Sequence, residues 1–148
     1  MKEIEFNFRK ASPADIEYLL WLRKQTMTEH FFNSGIEVND EYHLKRIEYH
    51  FEDAKIILLN ENRIGLLKVN ENKNGFEIIQ IQIDPEFQGK GIGKKIIQSV
   101  IDKASSQNLP VALSVLKNNK AKQLYMSLGF KTINEDENSF IMKRENEL

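Results

Sequence analysis

The sequence predicts one α/β domain with a mixed, mainly antiparallel sheet and helices on both faces. Strand-type and helix-type segments alternate along all 148 residues without repeats, low-complexity segments or a linker. A hydrophobic content of 41% is enough for a substantial core. Residues 88–95, QGKGIGKK, place a glycine-rich segment between a predicted strand and a predicted helix. Residues 1–148 are therefore interpreted as a single domain.

The first half of the chain predicts one strand, two helices and a three-stranded meander. Residues 4–11, IEFNFRKA, alternate apolar and polar side chains as a strand does. A helix follows over residues 12–27, because Ser12 is a good N-cap and Pro13 suits the first helical position. Residues 40–53 repeat apolar side chains at helical intervals and predict a second helix. Residues 54–86 hold three apolar runs separated by the turn segments NENR and NENKNG, which is typical of an antiparallel meander.

The second half predicts two more helices and three more strands. A long helix over residues 92–106 collects apolar side chains on one side: Ile92, Ile96, Val100, Ile101 and Ala104. Residues 110–117 are a buried-type strand, residues 118–129 a short helix closed by Gly129, and residues 130–144 a hairpin. The predicted order is β-α-α-β-β-β-α-β-α-β-β.

Charge and cysteine content exclude several classes of partner. Lys plus Arg number 21 and Asp plus Glu 22, so the net charge of −1 offers no general field for nucleic acid or an anionic membrane. The absence of cysteine removes disulfides, thiolate metal sites and cysteine nucleophiles, and it suits a reducing compartment. No apolar run approaches the roughly 18 residues of a membrane span. We expect a cytoplasmic protein without nucleic-acid or membrane partners.

The glycine-rich segment does not match the common nucleotide-binding loops. A dinucleotide fingerprint needs a third glycine where Lys94 stands, and a Walker A loop needs glycine and Ser or Thr where Gln88 and Lys95 stand. The remaining pattern is Q-x-x-G-x-G between a strand and a helix N-terminus. Glycine there lets backbone N–H groups face an anion beside the positive end of the helix dipole. The segment therefore predicts a local phosphate site rather than a simple sharp turn.

Two motifs together resemble the GNAT superfamily of N-acetyltransferases. IQIDPEFQGKGIGKKII is similar to the family's acetyl-CoA pyrophosphate motif. VLKNNKAKQLYMSLGF is similar to its second motif, N-x-x-A-x-x-x-Y-x-x-x-G-F, through Asn118, Ala121, Tyr125, Gly129 and Phe130. The resemblance implies a sheet splayed between its fourth and fifth strands, with the pantetheine arm of acetyl-CoA in the gap.

The resemblance also implies which residues bind acetyl-CoA. The fourth strand pairs its backbone with the pantetheine amides, and the glycine-rich loop binds the pyrophosphate through backbone N–H groups assisted by lysines. From the residues alone Asn118 is a helix cap and Tyr125 a core aromatic; the resemblance adds a cofactor contact for the first and the role of catalytic acid for the second. The expected cofactor-binding residues are Ile81, Gln82, Ile83, Gln88, Gly89, Lys90, Gly91, Ile92, Gly93, Lys94, Asn118, Ala121 and Tyr125.

The implied reaction is direct transfer of an acetyl group to an amine, because no cysteine is available to carry it. A backbone N–H on residues 81–83 would stabilise the oxyanion, and Tyr125 would protonate the CoA thiolate. The general base stays open. Gln80 and Gln82 cannot accept a proton, which leaves Glu77, Glu29, His30 or a water relay. Residues 27–35, MTEHFFNSG, are the best candidate for the wall of the acceptor pocket.

A metal site and hydrolase chemistry have little support in the sequence. His43 and His50 lie about 10 Å apart along a predicted helix, too far to share an ion, and no serine stands in a G-x-S-x-G elbow. The main hypothesis is an acetyl-CoA-dependent N-acetyltransferase acting on a small-molecule or protein amine. The alternative is an acyl-CoA-binding regulatory module that has lost transfer. Family habit alone points to a homodimer, and neither the acceptor nor the acyl-chain preference can be read from the sequence.

Overall fold

A computed structural model of the chain describes residues 6–26 and 39–146. Their helices and strands follow the predicted order. These elements are β1 (Phe6–Lys10), α1 (Ile16–Thr26), α2 (Asp40–Glu48), β2 (Ala54–Leu59), β3 (Asn62–Asn72), β4 (Gly75–Ile83), α3 (Ile92–Ser106), β5 (Val111–Leu116), α4 (Ala121–Ser127), β6 (Lys131–Glu135) and β7 (Ser139–Arg144). Three short 3-10 turns cover Pro13–Asp15, Phe51–Asp53 and Pro85–Phe87.

The seven strands form one mixed sheet in the order β1-β2-β3-β4-β5-β7-β6. The pairs β1–β2, β2–β3, β5–β7 and β6–β7 are antiparallel, whereas β4 and β5 are parallel. This arrangement confirms the predicted α/β fold with a mainly antiparallel sheet.

The parallel pair is short. β4 and β5, both wholly within the described residues, pair at Phe76↔Val111, Glu77↔Ala112 and Ile78↔Leu113. Beyond this register β4 continues to Ile83 and β5 to Leu116. The end of pairing part-way along the two strands is the predicted splay, and it leaves backbone N–H and C=O groups of the later part of β4 without a β5 partner.

The chain packs as two compact units. The first contains the described residues up to Lys68 together with Gln80–Lys90, and the second contains Val69–Ile79 and the described residues from Gly91 onward. The core of the first unit is formed by α1, α2, β2 and β3 through Leu19, Leu22, Ile47, Ile56 and Leu66. In the second unit α3, β5 and β7 bury Ile96, Ile97, Val100, Val111, Leu113 and Met142.

The start of the first helix follows its sequence signals closely. The Ser12 N–H donates to Asp15 Oδ2 at 2.9 Å, and the Asp15 N–H donates to the Ser12 carbonyl at 2.8 Å. This first turn is 3-10, so the α-helix itself begins at Ile16. Leu19, Leu22 and Arg23 are its buried residues, whereas Leu20 is half-buried. Ile4 and Met27, which the patterns also placed in these elements, lie outside the described residues.

The second helix is shorter than predicted. It ends at Glu48, and His50 adopts a left-handed backbone conformation with φ of 52° before the 3-10 turn Phe51–Asp53. Lys68 provides the physical reason, because its Nζ donates to the carbonyls of Arg46, Ile47 and Tyr49 at 2.9, 2.8 and 2.6 Å. Burial lowers the pKa of Lys68 to about 8, which still leaves an ammonium group at neutral pH. A cation from β3 thus satisfies the carbonyls that a longer helix would have used.

Among the helices of the described residues, none is both long and apolar enough to cross a membrane.

Candidate functional site

The end of β4 is tied down before the glycine-rich loop begins. The Asp84 N–H donates to the Ile64 carbonyl at 2.8 Å, and Asp84 Oδ1 accepts the Glu86 N–H at 3.0 Å. Gln88 Nε2 turns back to donate to the Ile83 carbonyl at 2.9 Å. The Gln88 side chain therefore fixes the loop to the strand, so that backbone groups rather than this side chain are available to a ligand.

The three glycines at alternating positions differ in backbone conformation but all border open space. Gly89 and Gly91 have φ of 77° and 79°, a conformation that side chains disfavour. Gly93 has an ordinary backbone conformation that other residues can adopt, so backbone conformation does not explain why glycine stands there. A Cβ on any of the three would meet no protein atom within 4 Å. Open space beside a glycine that the fold does not require is what a bound ligand would use.

The first turn of α3 adds polar groups that suit an anion. Gly91 is the N-cap, and the Lys95 N–H donates to the Gly91 carbonyl at 3.2 Å as the first helical bond. The N–H groups of Ile92, Gly93 and Lys94 precede that bond and have no acceptor within the helix. The first turn carries no acidic residue, and the nearby lysines Lys90, Lys94 and Lys95 are exposed. Donors, helix dipole and cations all favour a phosphate group.

These features fit the diphosphate of coenzyme A. A diphosphate needs several N–H donors and close approach to the backbone, and the helix start offers both. Ala121 and Ile92, predicted to contact the cofactor, lie at the first positions of α4 and α3 respectively. The described residues can therefore hold the acidic part of acetyl-CoA through backbone groups, with lysines adding a screened electrostatic attraction.

Tyr125 lies in α4 with its ring in the core of the second unit. The residue is 7% exposed, and its ring meets Phe130 edge-on at a centroid distance of 5.8 Å. Burial raises the pKa of Tyr125 to about 12, so the phenol stays protonated at neutral pH. A protonated phenol can serve as a proton donor. Packing against Phe130 accounts for the position of the ring.

The cap of α4 differs from the sequence expectation. The N-cap position is Lys120, and Asn119 Oδ1 accepts the Ala121 N–H at 2.9 Å. The capping role predicted for Asn118 is therefore wrong, because the side chain of the next asparagine reaches the first N–H of the helix. The predicted cofactor contact of Asn118 remains a prediction.

Gln82 on β4 is the most unusual polar residue near the predicted oxyanion segment. Its neighbours Ile81 and Ile83 are half-buried, but Gln82 is 3% exposed. Within the described structure neither Nε2 nor Oε1 of Gln82 has a hydrogen-bond partner. Leaving a buried amide unpaired costs about 1–3 kcal/mol for each group. Nothing in the sequence predicted this burial, because an isolated glutamine in a strand pattern is usually solvent-facing.

A glycine beside the Gln82 main chain allows strands β3 and β4 to approach closely. A Cβ on Gly65 of β3 would overlap the main-chain carbonyl oxygen of Gln82. Gly65 does not have a positive φ, so close approach of the backbones is its only evident requirement. The position of Gln82 is thus set by backbone packing within the first unit.

The candidates for the general base are only partly located. Glu77 is exposed on β4, in register with Ala112 of β5, and Gln80 is half-buried. Glu29, His30 and the proposed acceptor segment, residues 27–35, lie outside the described residues. Among the described parts of β4, the residues after Glu77 carry no carboxylate as far as Ile83.

The two described histidines, His43 and His50, lie in different surroundings. His43 is buried and its Nδ1 accepts from Arg23 Nε at 3.1 Å. His50 Nδ1 lies 2.8 Å from Asp53 Oδ2 and 3.6 Å from Glu52 Oε1. Ligand atoms of this group of three lie within 4.8 Å of one another. A direct hydrogen bond between His50 and Asp53 accounts for the arrangement without an ion.

Similarity to solved structures defines the class of fold. The PaiA N-acetyltransferase from Thermoplasma acidophilum, solved with coenzyme A, superposes with a TM-score of 0.73 at 20% identity, covering 96% of this chain and 99% of that one. The ribosomal-protein-S18-alanine N-acetyltransferase from Escherichia coli gives a TM-score of 0.71 at 15% identity, with coverages of 97% and 96%. Arabidopsis thaliana Naa50, solved with the bisubstrate analogue CoA-Ac-MVNAL, gives 0.64 at 18% identity, with coverages of 95% and 98%. The shared fold is that of acetyltransferases.

Comparison with sequence families makes the assignment specific. The model of the acetyltransferase (GNAT) domain matches residues 24–140. The chain therefore belongs to the GNAT acetyltransferase family, and acyl transfer from acetyl-CoA is the general chemistry of its fold. Comparison with curated protein sequences gives no match.

Proposed function

We propose that this protein is an acetyl-CoA-dependent N-acetyltransferase that transfers the acetyl group directly to a primary amine. The observation that carries the proposal is the start of α3, where backbone N–H groups, lysines and unfilled space beside Gly93 coincide. Each of these features suits an acidic ligand, and the fold does not require glycine at position 93. In a GNAT chain the acidic ligand is acetyl-CoA.

The proposed chemistry balances without a covalent intermediate. The neutral amine attacks the thioester carbon, a C–N bond forms, and the C–S bond breaks. Backbone N–H groups of residues 81–83 stabilise the oxyanion, while the Tyr125 hydroxyl gives its proton to the CoA thiolate. Gln80 and Gln82 cannot take the proton lost by the amine, so it passes to Glu77, Glu29, His30 or water.

A second candidate function has one observation in its favour. The strand segment after Glu77 lacks a carboxylate, and some acetyltransferases of the family use such a group as the base. A protein that binds acyl-CoA without transferring the acyl group would show the same phosphate site. The two candidates differ in turnover, not in affinity.

The deciding experiment combines calorimetry with acetyl-CoA and release of free CoA across a panel of amines. The panel contains alkyl diamines, amino acids, lysine derivatives and peptides with free N-termini. Amine-dependent release above the rate of thioester hydrolysis, measured without amine, supports the transferase. Tight acetyl-CoA binding with no amine-dependent release from any of them would favour the binding module instead.

We also propose a cytoplasmic location and a homodimeric assembly. The absence of cysteine suits the reducing cytoplasm, and family habit favours a homodimer. Sedimentation velocity at micromolar protein concentrations tests the dimer directly.

A further inference from the structure

The turn between β3 and β4 holds the one Asn-Gly pair of the sequence, Asn74-Gly75. The turn is short, because β3 ends at Asn72 and β4 begins at Gly75. Residues 71–74 are all exposed, so no described element covers the tip of this hairpin. Exposed loop tips are the places where a chain best tolerates a change in its backbone.

The side chain of Asn74 is not engaged by the fold. Its main-chain N–H donates to Asn72 Oδ1 at 2.8 Å, but its carboxamide has no hydrogen-bond partner within the described structure. Several other asparagines differ in this respect. The carboxamide oxygens of Asn39, Asn119 and Asn134 each accept a main-chain N–H. The Asn74 carboxamide can therefore rotate toward its own main chain without breaking a bond.

Glycine at position 75 is needed by the packing of this hairpin. Gly75 has φ of 154°, and a Cβ there would lie 3.2 Å from both Cγ and the carbonyl oxygen of Pro110. Other residues rarely adopt this backbone conformation. The residue after Asn74 therefore presents a main-chain nitrogen that no side chain shields. Packing thus keeps an unhindered nitrogen next to an unengaged carboxamide.

We propose that Asn74-Gly75 is a site of self-modification, at which Asn74 loses its amide and becomes isoaspartate. The Gly75 nitrogen gives up its proton to water and attacks Cγ of Asn74. A C–N bond forms, the side-chain amide leaves as ammonia, and a cyclic imide results. Water then opens the imide at one of its two carbonyls, which gives either aspartate or isoaspartate. Both reacting groups belong to adjacent residues, so no binding step is needed to bring them together.

Isoaspartate at position 74 alters the start of β4. The main chain then runs through Cγ and gains one methylene group directly before Gly75. The Phe76 N–H donates to the Pro110 carbonyl at 2.9 Å, and Phe76↔Val111 is the first of three paired positions between β4 and β5. Strand register depends on the turn that leads into the strand. The modification therefore weakens the short parallel pair at its first bond.

Ageing of the purified full-length chain tests the inference. The protein is incubated at physiological temperature at mildly acidic and mildly alkaline pH, and is then digested in acid and mapped by mass spectrometry with electron-transfer fragmentation. We expect isoaspartate to accumulate at position 74, and to do so faster at the alkaline pH because the Gly75 nitrogen must lose its proton.

The turn between β2 and β3 supplies an internal reference. Asn60 is also exposed at a hairpin tip, but Glu61 follows it and its side chain hinders attack by the main-chain nitrogen. Asn60 should keep its amide over the same period. Asn74→Gln should abolish the modification, because its longer side chain places the amide carbon out of position, whereas Asn60→Gln should leave the rate at position 74 unchanged.

Hydrogen exchange measures the effect on β4. The Phe76 N–H should exchange about 3- to 10-fold faster in the aged protein, as expected for the weakening of one hydrogen bond. Asn74→Asp has the new charge without the extra methylene, so its Phe76 N–H should exchange at the rate of the fresh wild type.

Each outcome bears on one part of the inference. Modification at position 74 that is no faster than at Asn60, or that yields aspartate without isoaspartate, overturns the proposed site. Unchanged Phe76 exchange in protein rich in isoaspartate overturns the effect on β4, and equally fast exchange in Asn74→Asp assigns that effect to charge. None of these measurements uses turnover, so they stand or fall independently of the proposed transferase.

Discussion

In Tyr125 the atoms that pack in the core differ from the atom that the proposed reaction uses. The ring packs edge-on against Phe130 in the core of the second unit. The hydroxyl is the part that the proposed reaction needs, and its raised pKa of about 12 keeps the proton available at neutral pH. A substitution that removes only the oxygen therefore separates the two roles.

For Tyr125→Phe we expect the chemical step to slow by about 10²- to 10⁴-fold, because the departing thiolate loses its proton donor. Acetyl-CoA affinity should stay within about twofold, since the ring and its packing remain. Single-turnover rates with any active acceptor are the measurement. Tyr49→Phe, at an exposed tyrosine, is the control. A rate within about twofold of wild type would leave Tyr125 with a packing role alone.

At the scale of elements, the start of α3 is the part of the helix where we propose that the diphosphate of acetyl-CoA binds. Gly93 lies in the first turn, where alanine would be the better residue for an isolated helix. The structure does not require glycine there, since its Cβ would meet nothing. A residue that costs stability without a structural need indicates a functional one.

Gly93→Ala should stabilise the free protein by about 0.5–1 kcal/mol, because the unfolded chain loses conformational freedom. The same methyl group should raise the dissociation constant for acetyl-CoA about tenfold or more, since it enters the space proposed for the diphosphate. Urea unfolding and calorimetry measure the two effects. Gln98→Ala, further along the same helix, should leave the affinity unchanged. An unchanged dissociation constant in Gly93→Ala would exclude this turn as the phosphate site.

At the scale of the whole molecule, acid stability depends on a buried carboxylate in the first unit. Asp15 receives two hydrogen bonds of 2.8 Å from Arg9 and one of 3.3 Å from Arg63. The bonds from Arg9 hold the pKa of Asp15 well below its usual range, although burial acts in the opposite direction. A carboxyl whose pKa is lower in the folded chain stabilises the fold above its unfolded pKa.

Stability should therefore fall as the pH drops below about 4, where the unfolded chain takes up a proton that folded Asp15 resists. Asp15→Asn should lower the free energy of unfolding by about 2 kcal/mol at pH 7, after allowance for the half-exposed arginines. The difference from wild type should shrink progressively below about pH 4. Urea titrations at pH 7 and pH 3 check this, with exposed Asp102→Asn as the control. A constant difference at both pH values would contradict the linkage.

Local patterns predicted the order of the elements and the position of the glycine-rich loop. The helix over Ile92–Ser106 was predicted at its observed bounds because its apolar side chains repeat regularly and glycines precede it. The hairpin between β2 and β3 also follows from its turn residues, since Asn60 and Glu61 adopt φ of 50° and 70°. Both features depend on neighbours in the sequence, so the sequence contains the information needed to predict them.

Only the tertiary structure decided features that join distant residues. Lys68 on β3 binds the carbonyl groups at the end of α2. Arg23 and His43 pair in the core of the first unit. Gln82 is buried where Gly65 allows β3 and β4 to approach closely. For the candidate site this means that the glycine loop and Tyr125 were accessible to sequence reasoning, whereas the unpaired amide was not. The physical reason is that burial depends on which elements pack together, and a residue's own neighbours along the chain do not specify that.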